Sequence, residues 1–137
     1  MKRNEPVSHI MTKNPFSVQR GQKVSDVRHV LVERNVHHVP VLDGKKLVGM
    51  MSMMDMMRLS WGAQDGRTVD ALLDHTVTLN DVMVKEPVRI RQGHSIREAA
   101  ELLSGGQFHA LPVVGDGDEL VGILSSTDLI RYLIEQY

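Results

Sequence analysis

The chain has no cysteine, which removes disulfides, thiolate metal ligands and cysteine nucleophiles at once. That suits a reducing compartment, and a cytoplasmic protein is expected. Aromatic residues make up only 4% of the 137 residues, so a core has to be built from aliphatic side chains and methionine. No apolar run approaches the roughly 18 residues of a membrane span, and the N-terminal MKRNEPVSHIM is charged without an apolar stretch, so no membrane segment or signal peptide is expected. A formal net charge of −1 gives no general attraction to nucleic acid or anionic membranes. A P-loop, a GxGxxG stretch and a nucleophile–base constellation are all missing, which points away from an enzyme. Apolar content of 42% and charged content of 24% are globular values.

What is present is one pattern written twice. IMTKNPFSVQRGQKVSDVRHVLVERNVHHVPV, from Ile10 to Val41, lies over VMVKEPVRIRQGHSIREAAELLSGGQFHALPV, from Val82 to Val113. Met11 pairs with Met83, Pro15 with Pro87, Gly21 with Gly93, His37 with His109 and Pro40 with Pro112, all at one offset of 72 residues (83 minus 11). One extra residue in the next turn moves the offset to 73, and LVGMMSMMDMMRL then lies over LVGILSSTDLIRY. Gly49, Ser52, Asp55 and Arg58 thereby match Gly122, Ser125, Asp128 and Arg131. A fixed offset with matched Gly, Pro and Asp is the signature of duplication.

Each copy predicts the order β-α-β-β-α, an α+β unit. An extended piece near Ser17-Val18 or Arg89-Ile90 leads into an amphipathic helix, marked by Val24, Val27, Val30 and Leu31 or by Ile96, Ala99, Ala100, Leu102 and Leu103. Ser95 and Glu98 have the spacing of a capping box, and Gly105-Gly106 ends the second helix. The strands His38–Leu42 and Leu47–Met51, and Ala110–Val114 and Leu120–Leu124, are joined by the turn signals DGK and GDGD. A last helix starts at Ser52 or Ser125. The copies occupy 7–59 and 79–134, and 60–78 is a linker in which VDALLDH is expected to form a helical turn and Trp61 to cover one end of the core. With so few large apolar groups per copy, the two are expected to share one core about a pseudo-twofold axis.

The repeated IMTxxP…V…G…VPV…LVG…SxxD resembles a tandem pair of CBS domains (a Bateman module) over nearly the whole chain, from about Val7 to Leu133. The resemblance implies β-α-β-β-α units that pair through their sheets, often as a flat homodimer. It also implies adenosine compounds (AMP, ADP, ATP, S-adenosylmethionine) bound in clefts between the copies to regulate an effector protein.

The segment GILSSTD ends a strand and begins a helix, where unsatisfied N–H groups attract phosphate. Ser125 and Thr127 offer hydroxyls, and Asp128 is an acceptor suited to ribose hydroxyls. Ser125-x-x-Asp128 is equally a helix capping box, and the two roles can coexist. Carried over from the resemblance, a main cleft combines Ser125, Thr127 and Asp128 with Thr12, Ser17, Val36 and His37. Backbone groups near Thr12 and His37 would meet the adenine edge, Val36 and Ile123 its faces, and His109 the phosphate. A second cleft combines Ser52 and Asp55 with Val84, Arg89, Phe108 and His109. There Met54 replaces Thr127, and a thioether is a poor partner for phosphate, so this cleft is expected to be weaker or to take a less phosphorylated ligand. Because the two copies and the linker fill the chain, the output is expected to pass through another protein or through assembly. A ligand-free dimerisation or docking module is the competing expectation.

Six of the nine methionines crowd into GMMSMMDMM, Gly49 to Met57. Soft thioethers can bind copper(I), but only when two or three converge on one point. Met50, Met51, Met56 and Met57 lie over Ile123, Leu124, Leu129 and Ile130, which makes core filling the expected role. His37 and His38 are neighbours on a strand and point to opposite faces, and His9, His29, His75 and His94 show no metal spacing. No metal site and no resident cofactor are expected.

Overall fold

The computed structural model describes residues 4–60 and 66–137; Trp61, expected to cover one end of the core, lies outside the described residues. A 3-10 turn at Val7–His9 precedes β1 (Thr12–Lys13), β2 (Val18–Gln19), α1 (Val24–Glu33), β3 (His38–Asp43), β4 (Lys46–Ser52) and α2 (Met53–Leu59). After α3 (Gly66–Thr76) come α4 (Leu79–Val82), β5 (Val84–Lys85), β6 (Ile90–Arg91), α5 (Ile96–Ser104), β7 (Ala110–Val114), β8 (Leu120–Ser125) and α6 (Ser126–Gln136). The fold is mixed α+β, with one sheet in the order β1-β8-β7-β6 and another in the order β2-β3-β4-β5.

The sheets exchange strands between the copies. β1, from the start of copy one, pairs antiparallel with β8 of copy two, placing Thr12 opposite Ile123. β5, from copy two, pairs with β4 of copy one, placing Val84 opposite Met50. The compact units therefore do not follow the repeat boundaries: unit 1 is Met1–Pro15 with Val88–Tyr137, and unit 2 is Phe16–Pro87. The matched Gly and Met pairs have a physical reason here. A Cβ on Gly122 would lie 2.5 Å from Met11 Sδ and 2.9 Å from the Thr12 carbonyl oxygen, and a Cβ on Gly49 would strike the Met83 thioether. The exchanged strand lies so close that only glycine fits beneath its methionine.

In unit 2, β2 runs parallel to β3, and β3 and β4 form the predicted hairpin around Gly44, whose φ is +64°. α1 buries Val24, Val27 and Leu31, the 3.6-residue stripe read from the sequence. The linker holds more than a helical turn. α3 spans 11 residues, and its Val69 and Leu73 enter the buried cluster of unit 2. Charge reinforces that packing. Arg28 Nε donates to Asp70 Oδ1 at 2.6 Å, His29 Nε2 lies 2.7 Å from Asp70 Oδ2, and the Ser25 amide and hydroxyl donate to Asp74 at 3.1 and 2.7 Å.

In unit 1, β6 runs parallel to β7, β7 and β8 form the second hairpin, and α5 buries Ile96, Ala99 and Leu103. Ser95 and Glu98 make the expected capping box, and Gly106, at φ +73°, takes the left-handed position after the helix. The chain before β1 docks on this unit through Val7 N–H to the His94 carbonyl and Ile96 N–H to the Glu5 carbonyl, each 2.8 Å.

Most of the buried residues fall into a cluster in each unit, and each cluster draws on both copies: Leu79 and Met83 of copy two join Val27, Val39 and Met51, while Val7 of copy one joins Leu111, Val113 and Leu124. Strand exchange lets each small unit collect apolar area from both copies.

Candidate functional site: two strand-to-helix junctions

Each unit holds one Ser-x-x-Asp junction, built on the same backbone skeleton. In unit 1, Ser125 closes β8 and caps α6: its amide donates to Asp128 Oδ2 at 2.8 Å, and the Asp128 amide donates to Ser125 Oγ at 3.1 Å. In unit 2, Ser52 caps α2 in the same way at 2.9 and 3.1 Å. The adjoining strand is tied in identically, with Ser126 N–H donating to the His109 carbonyl at 3.0 Å and Met53 N–H to the His37 carbonyl at 2.8 Å. The capping reading of both motifs is thus realised, and it uses one carboxylate oxygen of each aspartate.

Capping also consumes donors. The Ser126 and Asp128 amides have protein acceptors, so a phosphate approaching α6 would meet the Thr127 amide and the surrounding hydroxyls. Asp128 Oδ1, 3.7 Å from an Arg131 guanidinium nitrogen, is the oxygen directed away from the cap. In unit 2 the Ser52 hydroxyl additionally donates to Asp55 Oδ2 at 2.8 Å, a bond that Ser125 does not make to Asp128.

Of the main-cleft residues, Thr12, His109, Ile123, Ser125, Thr127 and Asp128 fall in unit 1, whereas Ser17, Val36 and His37 fall in unit 2. Thr12 stands opposite Ile123 in the register, and Ser125 follows on the same strand. Of the second set, Ser52, Asp55 and Val84 lie in unit 2, and Arg89 and Phe108 in unit 1. Val36 and Phe108, equivalent in the repeat, are half-buried, each against the core of its own unit. Arg89 is 3.7 Å from Asp118. Ser126, not among the expected site residues, stands at the same junction. Its hydroxyl donates to the His109 carbonyl at 3.4 Å.

The methionine run divides by side. Met50, Met51 and Met56 are buried, as expected for core filling, and Met53 packs against the unit 2 core; Met57, expected to fill the core with them, faces solvent instead. Met54 is exposed as well. Among the described residues, no group of three His, Asp or Glu side chains could hold a metal ion, and no helix is long and apolar enough to cross a membrane. A cavity of about 430 Å³ in unit 2 runs from Arg20–Val24 to Asp74 and 77–80 and contains none of the expected site residues. Of its charged walls, Asp74 accepts from the Ser25 hydroxyl and Arg20 lies 3.3 Å from Asp43.

Comparison with known proteins agrees with this architecture. The CBS-pair protein CBSX2 from Arabidopsis thaliana is 28% identical, with a TM-score of 0.83 over 97% of this chain and 96% of its own. A structure of CBSX2 in complex with AMP is 29% identical, with a TM-score of 0.81 over 96% and 98% of the two chains. An uncharacterized protein of Methanocaldococcus jannaschii is 31% identical over 130 residues, covering 95% of this chain and 44% of that protein. The chain spans less than half the length of the curated relatives it matches. The CBS domain model matches twice, at residues 7–62 and 79–135, on the two copies whose strands are exchanged above: the chain is a tandem CBS pair and belongs to the CBS domain family.

Proposed function

We propose that the chain is a regulatory module that binds an adenosine-containing nucleotide (AMP, ADP, ATP or S-adenosylmethionine) at its strand-to-helix junctions. It would pass that event to an effector protein or to its own assembly as a homodimer. The observation that carries this reading is the duplicated junction, in which serine and aspartate are held twice in one geometry beside an exchanged strand. Similarity to a CBSX2 structure with bound AMP, across nearly the whole of both chains, supports it. Asp128 Oδ1 accepts from the ribose hydroxyls while Oδ2 stays with the cap. Thr127 and Ser125 supply hydroxyls to phosphate, and Ile123 and Thr12 line the same strand pair. Regulation requires that the ligand prefer one of two states of the protein, since equal affinity shifts no equilibrium.

Titration calorimetry with AMP, ADP, ATP and S-adenosylmethionine tests the reading. Binding at or below millimolar concentration, weakened at least tenfold by Asp128→Ala, is expected. No binding by any of the four, or binding indifferent to Asp128→Ala, overturns it. A second reading, a ligand-free docking or dimerisation module, draws on the exposed apolar residues Ile130, Leu133 and Ile134 of α6 and Tyr137 just after it. It expects a sedimentation coefficient unchanged by AMP.

A further inference from the structure

We propose that the two junctions sort adenosine compounds by phosphorylation: the Ser125–Asp128 junction takes the phosphorylated nucleotide, and the Ser52–Asp55 junction an unphosphorylated nucleoside. This rests on the reading above and adds to it which ligand goes where. The backbone skeletons are superimposable in their hydrogen bonds, so the difference lies in side chains, and every flanking hydroxyl changes in the same direction. Thr12, on the exchanged strand of unit 1, becomes Val84 on that of unit 2. Ser126 and Thr127, the first two residues of α6, become Met53 and Met54, the first two of α2. Met53 packs against the unit 2 core, but the other two replacements are not hidden there. Met54 is 58% and Val84 51% exposed, so each presents apolar surface where unit 1 presents a hydroxyl.

The consequence for a phosphate is direct. An ionised phosphate exchanges its water for protein donors, and without donors the loss of hydration is uncompensated. Unit 1 offers the hydroxyls of Thr12 and Thr127, while that of Ser126 leans on the His109 carbonyl at 3.4 Å. Unit 2 offers none at those positions, and its Ser52 hydroxyl is already donated to Asp55. The helices differ as well: α6 runs 11 residues and α2 only 7, so less backbone dipole stands behind the second junction. The ribose requirement is unchanged, because Asp55 is capped as Asp128 is. A neutral nucleoside keeps that contact, and its uncharged 5′ end meets soft, adaptable thioethers. Met54 is therefore a specificity-determining residue.

The test uses AMP and adenosine, which differ only by the phosphate, on the full chain. Calorimetry is run on the wild type, on Asp55→Ala and Asp128→Ala to locate each event, and on Met54→Thr and Thr127→Met, exposed positions whose exchange leaves both cores intact. AMP binding should weaken at least tenfold in Asp128→Ala and be kept in Asp55→Ala, with adenosine showing the reverse. Met54→Thr should raise AMP affinity at the second site several-fold, and Thr127→Met should lower it at the first. If both ligands bind both sites alike, or Met54→Thr leaves the AMP-to-adenosine ratio unchanged, the sorting is wrong while the adenosine reading stands. If neither ligand binds the wild type, the sorting falls, and the adenosine reading falls with it only when ADP, ATP and S-adenosylmethionine also fail to bind. Thermal unfolding of each variant verifies that a lost signal is not a lost fold.

Discussion

Unit 1 and unit 2 open equivalent helices with different atoms. α5 begins at a Ser95–Glu98 capping box, and the Glu5 carbonyl takes the Ile96 amide. α1 follows Lys23, which has no acceptor. Asp26 folds back onto the Lys23 amide at 2.9 Å, and Asp74 reaches in from α3 to take the Ser25 amide. The side chains that hold α3, namely Ser25, Arg28 and His29, stand where copy two has Arg97, Ala100 and Glu101. The backbone pattern is thus common to both units, while the exposed face of one helix has become the seat of the inter-repeat segment. That segment is a structural part of unit 2, which gives the two units different sensitivities to substitution.

The largest expected difference comes from Leu73, 2% exposed in the unit 2 cluster. Leu73→Ala should cost about 2–4 kcal/mol through lost burial and the cavity left behind. Hydrogen exchange should show α1 and α3 losing protection while α5 keeps it. Equal loss in α5 would mean that the contrast between the units has no energetic counterpart.

A smaller effect compares the exchanged strands directly. Gly122→Ala sets a Cβ against the Thr12 carbonyl as well as Met11, whereas Gly49→Ala meets only the flexible Met83 side chain. The backbone cannot yield as a thioether can, so Gly122→Ala should cost about 2 kcal/mol and Gly49→Ala about 1 kcal/mol. Denaturant midpoints measure both. The reverse order would show that the β1 strand gives way more readily than Met83 does.

Much of this was legible beforehand because it is local. The helix stripes, the Ser95–Glu98 box, the hairpin glycines and both Ser-x-x-Asp caps depend on residues within a few positions of one another. Strand exchange is not local. Thr12–Lys13 and Val84–Lys85 are two residues each, too short for any periodicity, and the only trace of their pairing is that Met11 and Met83 recur with Gly122 and Gly49 far along the chain. α3 was under-read for another reason. Val69 and Leu73, like Asp70 and Asp74, stand four apart on adjoining helical rows, yet without a counterpart in the repeat the segment looked like a spacer. At the junctions, the loss of one hydroxyl at Met54 was visible in the sequence. The repeat offset also matched Thr12 with Val84; the exchanged strands add that they stand opposite Ile123 and Met50, on the strands that end in the two capping serines.

The smallest effect concerns acid. The Asp70 carboxyl is held at about 2, from an ordinary 3.8, by the hydrogen bond from Arg28 above all; partial burial opposes the shift, and His29 adds to it. A carboxylate whose folded value is lowered stabilises the fold above its unfolded value and loses that contribution as pH falls through the folded one. The window is therefore pH 4 down to 2. The side chains of Asp70 and Arg28 are about a quarter exposed, so solvent screens part of the effect and about 1–2 kcal/mol is expected. Asp70→Asn should melt below wild type at pH 7 and approach it near pH 2, as followed by circular dichroism. Unit 1 supplies the control. Its Arg97–Glu101 pair spans 3.2 Å on side chains 74% and 67% exposed, and such a pair adds little in water, so Glu101→Gln should leave the acid profile unchanged. If Glu101→Gln moved that profile as far as Asp70→Asn does, the acid sensitivity would belong to helix-surface charge in general and not to the seat of α3 on α1.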